Sequence, residues 1–161
     1  MTEPKSDTES GPDLGPGVRV PPPALVAGAI LVAWLLRHLL PLPVMAPLPL
    51  PGNIAFALAL GLILWAALAM LRAGTDLRPD KPDAALVVTG PFRFSRNPIY
   101  LGLVLIAGGF ALRWGDLWGW LGVVAAQQVL DRLVIAREEP YLTRRFGAAY
   151  TQYRARVRRW I

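Results

Sequence analysis

Four apolar segments constrain this chain more than any other feature. They run from about Ala24 to Leu40, Ile54 to Leu71, Ile99 to Leu112 and Leu117 to Ile135. A helix needs about 20 residues to cross roughly 30 Å of hydrocarbon. The second and fourth segments approach that length. The first reaches it by extending into the Pro-broken stretch after Leu40, and the third is short and leans on Tyr100 and Trp114 as interfacial anchors. In 161 residues, 54% are hydrophobic, the mean hydropathy is +0.40, and only 17% are charged, against about 25% in soluble domains. A soluble protein this short cannot bury so much apolar surface, which leaves lipid as the solvent. The pattern predicts an all-α polytopic membrane protein with about four transmembrane helices.

Residues 1–23 are rich in Pro, Gly, Ser and acids, and read as a disordered tail rather than a signal peptide. Residues 24–161 read as one transmembrane domain. It comprises the first two spans (24–71), a loop (72–98), a hairpin (99–135) turned at Arg113-Trp114-Gly115-Asp116, and a covering segment (136–161). Arg72, Arg78, Lys81, Arg93 and Arg96 crowd the loop, and arginines recur after Ile135. The linker from Pro41 to Asn53 has no basic residue. This asymmetry puts both basic regions and both termini on the cytoplasmic side of the plasma (inner) membrane, with Arg37 snorkelling at the outer face. Tyr141, Phe146, Tyr150, Tyr153, Val157 and Ile161 recur at three- and four-residue steps, as expected of an amphipathic helix lying in the interface.

The absence of cysteine excludes disulfides, Cys-ligated zinc and a thiol nucleophile, and no metal site is expected. The net charge of +6 lies beside apolar spans with no aromatic-basic stacking platform, so membrane lipids, not nucleic acid, are the expected partners. Nothing in the sequence specifies an oligomeric state.

Glu138 and Glu139 form an acidic pair in an otherwise basic tail. Either they cap a solvated helix end against neighbouring arginines, or they bind a cationic ligand by Coulomb attraction and accept hydrogen bonds from a diol. On a regular helix Gln127, Asp131 and Glu138 share one face, with Gln128, Arg132 and Glu139 alongside. Charges at this depth face the bundle or a wet cavity, either fixing helix packing or lining a ligand site. Arg96 either touches lipid phosphates or pairs with a ligand carboxylate. Asn97 can donate and accept, and Tyr100 can stack or hydrogen-bond. Gly102 and the Gly108-Gly109 pair allow close helix approach. Tyr150 and Tyr153 serve as interfacial anchors or ligand contacts. His38, on the far side, has no assigned role.

The run Gly90-Pro91-Phe92-Arg93, then Arg96-Asn97-Pro98-Ile99-Tyr100-Leu101-Gly102, Glu138-Glu139, Phe146-Gly147 with Tyr150 and Tyr153, and the Arg159-Trp160 ending resemble, in order and spacing, the isoprenylcysteine carboxyl methyltransferase and phospholipid methyltransferase superfamily. The resemblance covers residues 75–161. It implies S-adenosylmethionine-dependent methyl transfer at the cytoplasmic membrane face to a lipophilic acceptor from the bilayer. Candidate catalytic residues are then Arg96, Asn97, Tyr100 and Asp131. Candidate cofactor-binding residues are Arg96, Asn97, Tyr100, Glu138, Glu139, Tyr150 and Tyr153. Many members carry His where this chain has Asn97, which cannot titrate. The shortage of a clear base favours a carboxylate acceptor, such as an isoprenylcysteine-like or other lipophilic acid, over a phospholipid amine. An NADPH-dependent membrane reductase, with Arg144, Arg145, Arg154 and Arg156 on a 2′-phosphate, and a non-enzymatic scaffold are the rival readings.

Overall fold

A computed structural model describes residues 20–75 and 85–161. Most of the expected tail, and Arg78 and Lys81 of the loop, fall outside them. The described residues are helical: α1 (Pro22–Leu39), α2 (Pro49–Arg72), a 3-10 turn (Gly90–Arg93), α3 (Pro98–Trp114), α4 (Leu117–Val129) and α5 (Ala136–Arg156). A π-helical segment, Leu130–Ile135, joins α4 to α5 without a break. Among the described residues the only β pairing is an isolated bridge between Pro43 and Asp116.

Proline sets where these helices begin. α1, α2 and α3 each carry Pro in the first two positions, where the missing N–H costs nothing and φ is already helical. That is why α1 starts at Pro22 rather than Ala24 and α2 at Pro49 rather than Ile54. Among the described residues two helices, α1 and α2, are long and apolar enough to cross a membrane. Only 11% of the most apolar stretch of α2 is buried, and Leu58, Leu60, Leu64, Trp65, Leu68 and Leu71 all stand exposed. A soluble protein does not display an apolar face of that extent. The interior is small by comparison. Val26 of α1, Leu103 and Ala107 of α3, Ala126 of α4, and Leu130 and Val134 of the π segment form the core.

Helix α3 lies close against α2. A Cβ at Gly102 would sit 2.5 Å from Ile63 Cγ1 and 3.1 Å from the Ala59 carbonyl, and one at Gly109 would overlap the Phe56 ring. Seven residues apart, they form one small-residue seam. Gly108 does not join it: its face is open, with nothing within 4 Å. The hairpin turn is as expected. Gly115 is left-handed (φ 67°), and its carbonyl accepts from the Val44 and Met45 amides, tying the Pro-rich linker to the turn. Asp116 caps α4 through Gly119 N–H at 2.9 Å and pairs with Arg37 Nε at 2.6 Å. Arg37 also lies over the Trp114 ring, 5.1 Å from its centroid. Rather than snorkelling alone, Arg37 is a structural cation. His38 Nδ1 donates to the Trp34 carbonyl.

Two expectations for the C-terminal third need correction. The helical periodicity read through Val157 and Ile161 stops at Arg156. Val157 is extended (φ −118°, ψ 130°), and Ile161 is 74% exposed. The reason is that residues 157–161 turn back and offer their carbonyls to the loop before α3. The second correction concerns helical phase. In the π segment Ala136 N–H reaches the carbonyl of Asp131, five residues back rather than four, so the wide turn absorbs one extra residue. At about 100° per residue, the partner sharing the face of Asp131 moves from Glu138 to Glu139.

Candidate functional site

The end of the bundle where α3 begins gathers most of the charged residues singled out above. The loop into α3 is rigid for local reasons. Pro91 and Pro98 are fully buried, and the Ser95 hydroxyl accepts from Asn97 N–H at 3.1 Å. Residues 157–161 lie across this loop. Arg96 N–H donates to the Arg158 carbonyl at 3.0 Å. The Arg159 carbonyl accepts from Asn97 Nδ2 at 3.0 Å and from Ser95 Oγ at 3.3 Å. Trp160 packs against the core.

Glu139 sits at the centre of the ionic network. Its Oε1 is 3.0 Å from Arg96 Nη2 and accepts from Arg159 Nε at 3.1 Å, while Oε2 accepts from Arg159 Nη2 at 2.7 Å. Arg159 Nη1 also reaches Asp131 Oδ1 at 3.4 Å. The two-pronged Arg159–Glu139 pair is the geometry in which guanidinium and carboxylate bind best. Glu139 pushes the Arg159 guanidinium above its ordinary value, so that Arg159 stays charged throughout. Beside this network Tyr100 donates to Glu138 Oε1 at 2.5 Å.

The Arg96 side chain is 9% exposed, yet Nε and Nη1 have no hydrogen-bond acceptor among the described residues. A buried guanidinium that uses one of its three nitrogens is unusual, because unmet donors of a buried charge are costly. Nε–H and Nη1–H donate from different edges of the planar group, and each suits an oxygen of a carboxylate or phosphate.

The tyrosines of α5 are buried, not exposed anchors: Tyr150 is 2% and Tyr153 5% exposed. Burial pushes both phenols above their ordinary 10.0, against the opposing pull of the Arg96 charge. Neither therefore acts as a base near neutrality. The Tyr153 hydroxyl donates to the Phe92 carbonyl at 2.7 Å and pins α5 to the 3-10 turn. Tyr150 lies near enough to Arg96 to feel its charge.

Of the residues expected to act together, Arg96, Asp131 and Glu139 are joined through Arg159. Tyr100 and Glu138 form a neighbouring pair, and Tyr150 abuts Arg96. Asn97 spends its side-chain Nδ2 on the Arg159 carbonyl and Tyr153 its hydroxyl on the Phe92 carbonyl. Sequence reading overlooked Arg159 and Ser95. Arg159 looked like any other member of a basic run, and the only signal for it was its place in the shared Arg-Trp ending. Among the described residues no cluster of His, Asp and Glu suits a metal.

A family model described as phospholipid methyltransferase matches residues 49–149, more than half of the chain. A protein from Haemophilus influenzae, described as uncharacterized, is 43% identical over 63 residues, which is 39% of this chain and 100% of that protein. No solved structure matches the chain.

Proposed function

Because the chain belongs to the phospholipid methyltransferase family, and so to the superfamily of membrane methyltransferases that includes the isoprenylcysteine carboxyl enzymes, we propose that it transfers the methyl group of S-adenosylmethionine to a lipophilic acceptor. When bound, that cofactor would supply an electrophilic methyl carbon on a sulfonium, with the neutral thioether S-adenosylhomocysteine as the leaving group. The observation that carries the proposal is Arg96, a buried guanidinium whose Nε and Nη1 lack acceptors and whose charge suits the carboxylate of the cofactor's amino-acid end.

The other residues follow from their partners. Glu138, bound by the Tyr100 hydroxyl, offers carboxylate charge to the cofactor's cationic end or hydrogen bonds to its diol. Tyr100 orients that carboxylate. Glu139 is engaged by two arginines and acts by aiming Arg96. Tyr150 covers Arg96, Tyr153 anchors the covering helix, and Asn97 holds residues 157–161 in place. The main work of the chain is positioning and exclusion of water.

In this reading residues 24–161 act as one domain. Helices α1, α2, α3, and α4 with its π extension cross the membrane four times, and α5 lies in the interface. The basic loop and tail hold the site and both termini on the cytoplasmic side of the plasma membrane. The acceptor we favour is the carboxylate of an isoprenylcysteine-like or other lipophilic acid. A carboxylate needs no proton removed, and the candidate base Asp131 is engaged by Arg159. A phospholipid amine is the second reading, favoured by the printed description of the family.

Calorimetry on detergent-purified protein tests the proposal. S-adenosylmethionine and S-adenosylhomocysteine should bind, and Glu138→Gln and Arg96→Gln should weaken both by about tenfold or more. Binding of NADPH alone would move the assignment to a reductase, and binding of none by folded protein would leave a scaffold. With labelled cofactor, transfer to a prenylated thioether acid yields a base-labile ester, whereas transfer to phosphatidylethanolamine yields base-stable label. The second result would replace the carboxylate reading.

A further inference from the structure

We propose that Arg159 is a positioning residue for the ligand site, and that residues 157–161 form a clasp whose docking gives Arg96 its ligand-ready orientation. The proposal rests on the methyltransferase reading for the identity of the ligand, but its structural half stands alone.

Arg159 makes the convergent contacts. Its backbone carbonyl takes donors from Ser95 and Asn97, on the two sides of Arg96. Its side chain holds both oxygens of Glu139 and one of Asp131. Arg158 completes the grip by accepting the Arg96 amide N–H. Arg96 is thus fixed twice through Arg159, by its backbone through the clasp and by Nη2 through Glu139. What remains open is Nε and Nη1, the two nitrogens that lack acceptors. A guanidinium pre-aimed in this way loses little rotamer freedom when an anion arrives. Arg159 itself is 39% exposed and reaches the ligand only through its neighbours.

Arg159→Gln removes the two-pronged contact and keeps a polar side chain of similar length. Two probes separate positioning from collapse. S-adenosylhomocysteine carries the amino-acid carboxylate, and 5′-methylthioadenosine keeps the nucleoside and lacks it. The expected result is about tenfold weaker binding of the first with the second unchanged. Arg159→Lys should recover only part of the loss, because an ammonium cannot bridge both oxygens of Glu139. Unchanged or tighter binding of S-adenosylhomocysteine, or equal weakening of both probes, would overturn the positioning role. Hydrogen exchange of the full-length protein reads the clasp without ligand. In Arg159→Gln the peptide spanning residues 92–97 should exchange about tenfold faster while α1 and α2 do not change. Should the wild-type protein bind neither probe, the methyltransferase reading fails and exchange alone decides: faster exchange keeps the clasp, unchanged exchange removes it.

Discussion

Replacing Glu139 by Gln should destabilise this protein far more than a conservative change at a helix surface would. The carboxylate is 13% exposed and its Arg96 partner 9%. Removing one member of a buried ion pair costs about 3–5 kcal/mol, because the remaining charge is left buried without its counter-charge. Gln retains a carbonyl that accepts one hydrogen bond from Arg96, which holds the cost near the lower end of that range. The lost contact to Arg159, 39% exposed, adds at most about 1 kcal/mol after solvent screening. The sum is about 3–4 kcal/mol, or roughly 6–16 °C in melting temperature for a chain of this size. Thermal unfolding in detergent, followed by intrinsic tryptophan fluorescence, measures it. The double variant Arg96→Met, Glu139→Met removes both charges and should recover most of the lost stability while abolishing ligand binding, since apolar replacement of a whole buried pair is often neutral. A loss below about 1 kcal/mol for Glu139→Gln, or a double variant no more stable than Glu139→Gln, would refute the idea that Arg96 depends on Glu139 for its neutralisation.

Other substitutions test the frame around the site. Gly102→Val drives a side chain into Ile63 and the Ala59 carbonyl and should cost about 1–3 kcal/mol. Gly108→Ala, which meets nothing, should be neutral or stabilise by up to about 1 kcal/mol; the same melts compare them. Tyr153→Phe strands the Phe92 carbonyl and should lower stability by about 1–3 kcal/mol, with faster hydrogen exchange at the 3-10 turn. Both buried phenols titrate above 10.0 in the folded protein. Their contribution is therefore complete below pH 10 and is lost as the pH rises through the folded values. Unfolding midpoints from about pH 8 to about pH 11 should fall, and fall less steeply in Tyr150→Phe, Tyr153→Phe.

The helices were legible because each is an apolar run punctuated by Pro, Gly or charge, and these cues are local. The short third segment came out as a helix from Pro98 to Trp114, within two residues of the reading at either end. The grouping of Arg96 with Glu139 was half legible. An acidic pair in a basic tail announces partners, but nothing local says which arginine arrives. Arg159 is chosen by a chain reversal after Arg156, and that reversal depends on carbonyl acceptors offered across more than sixty residues of sequence. The buried state of Tyr150 and Tyr153 was hidden for the same reason: their three-residue spacing fits an interface as well as a core. The misassigned face of Asp131 has a different origin. Phase arithmetic assumes one residue per 100° throughout, and no composition signal marks a wide turn in Leu130–Ile135.

That wide turn also decides what a change of chain length would do to the ion pair of Glu139. Removing any one residue from 132 to 135 and returning the segment to regular winding would leave everything downstream in its present phase. Glu139 would then stand seven residues after Asp131 on one regular helical face, and its carboxylate would still meet Arg96. The surplus residue in the backbone thus makes the junction tolerant of a one-residue deletion, and it marks where such a length change is absorbed without erasing the ion pair.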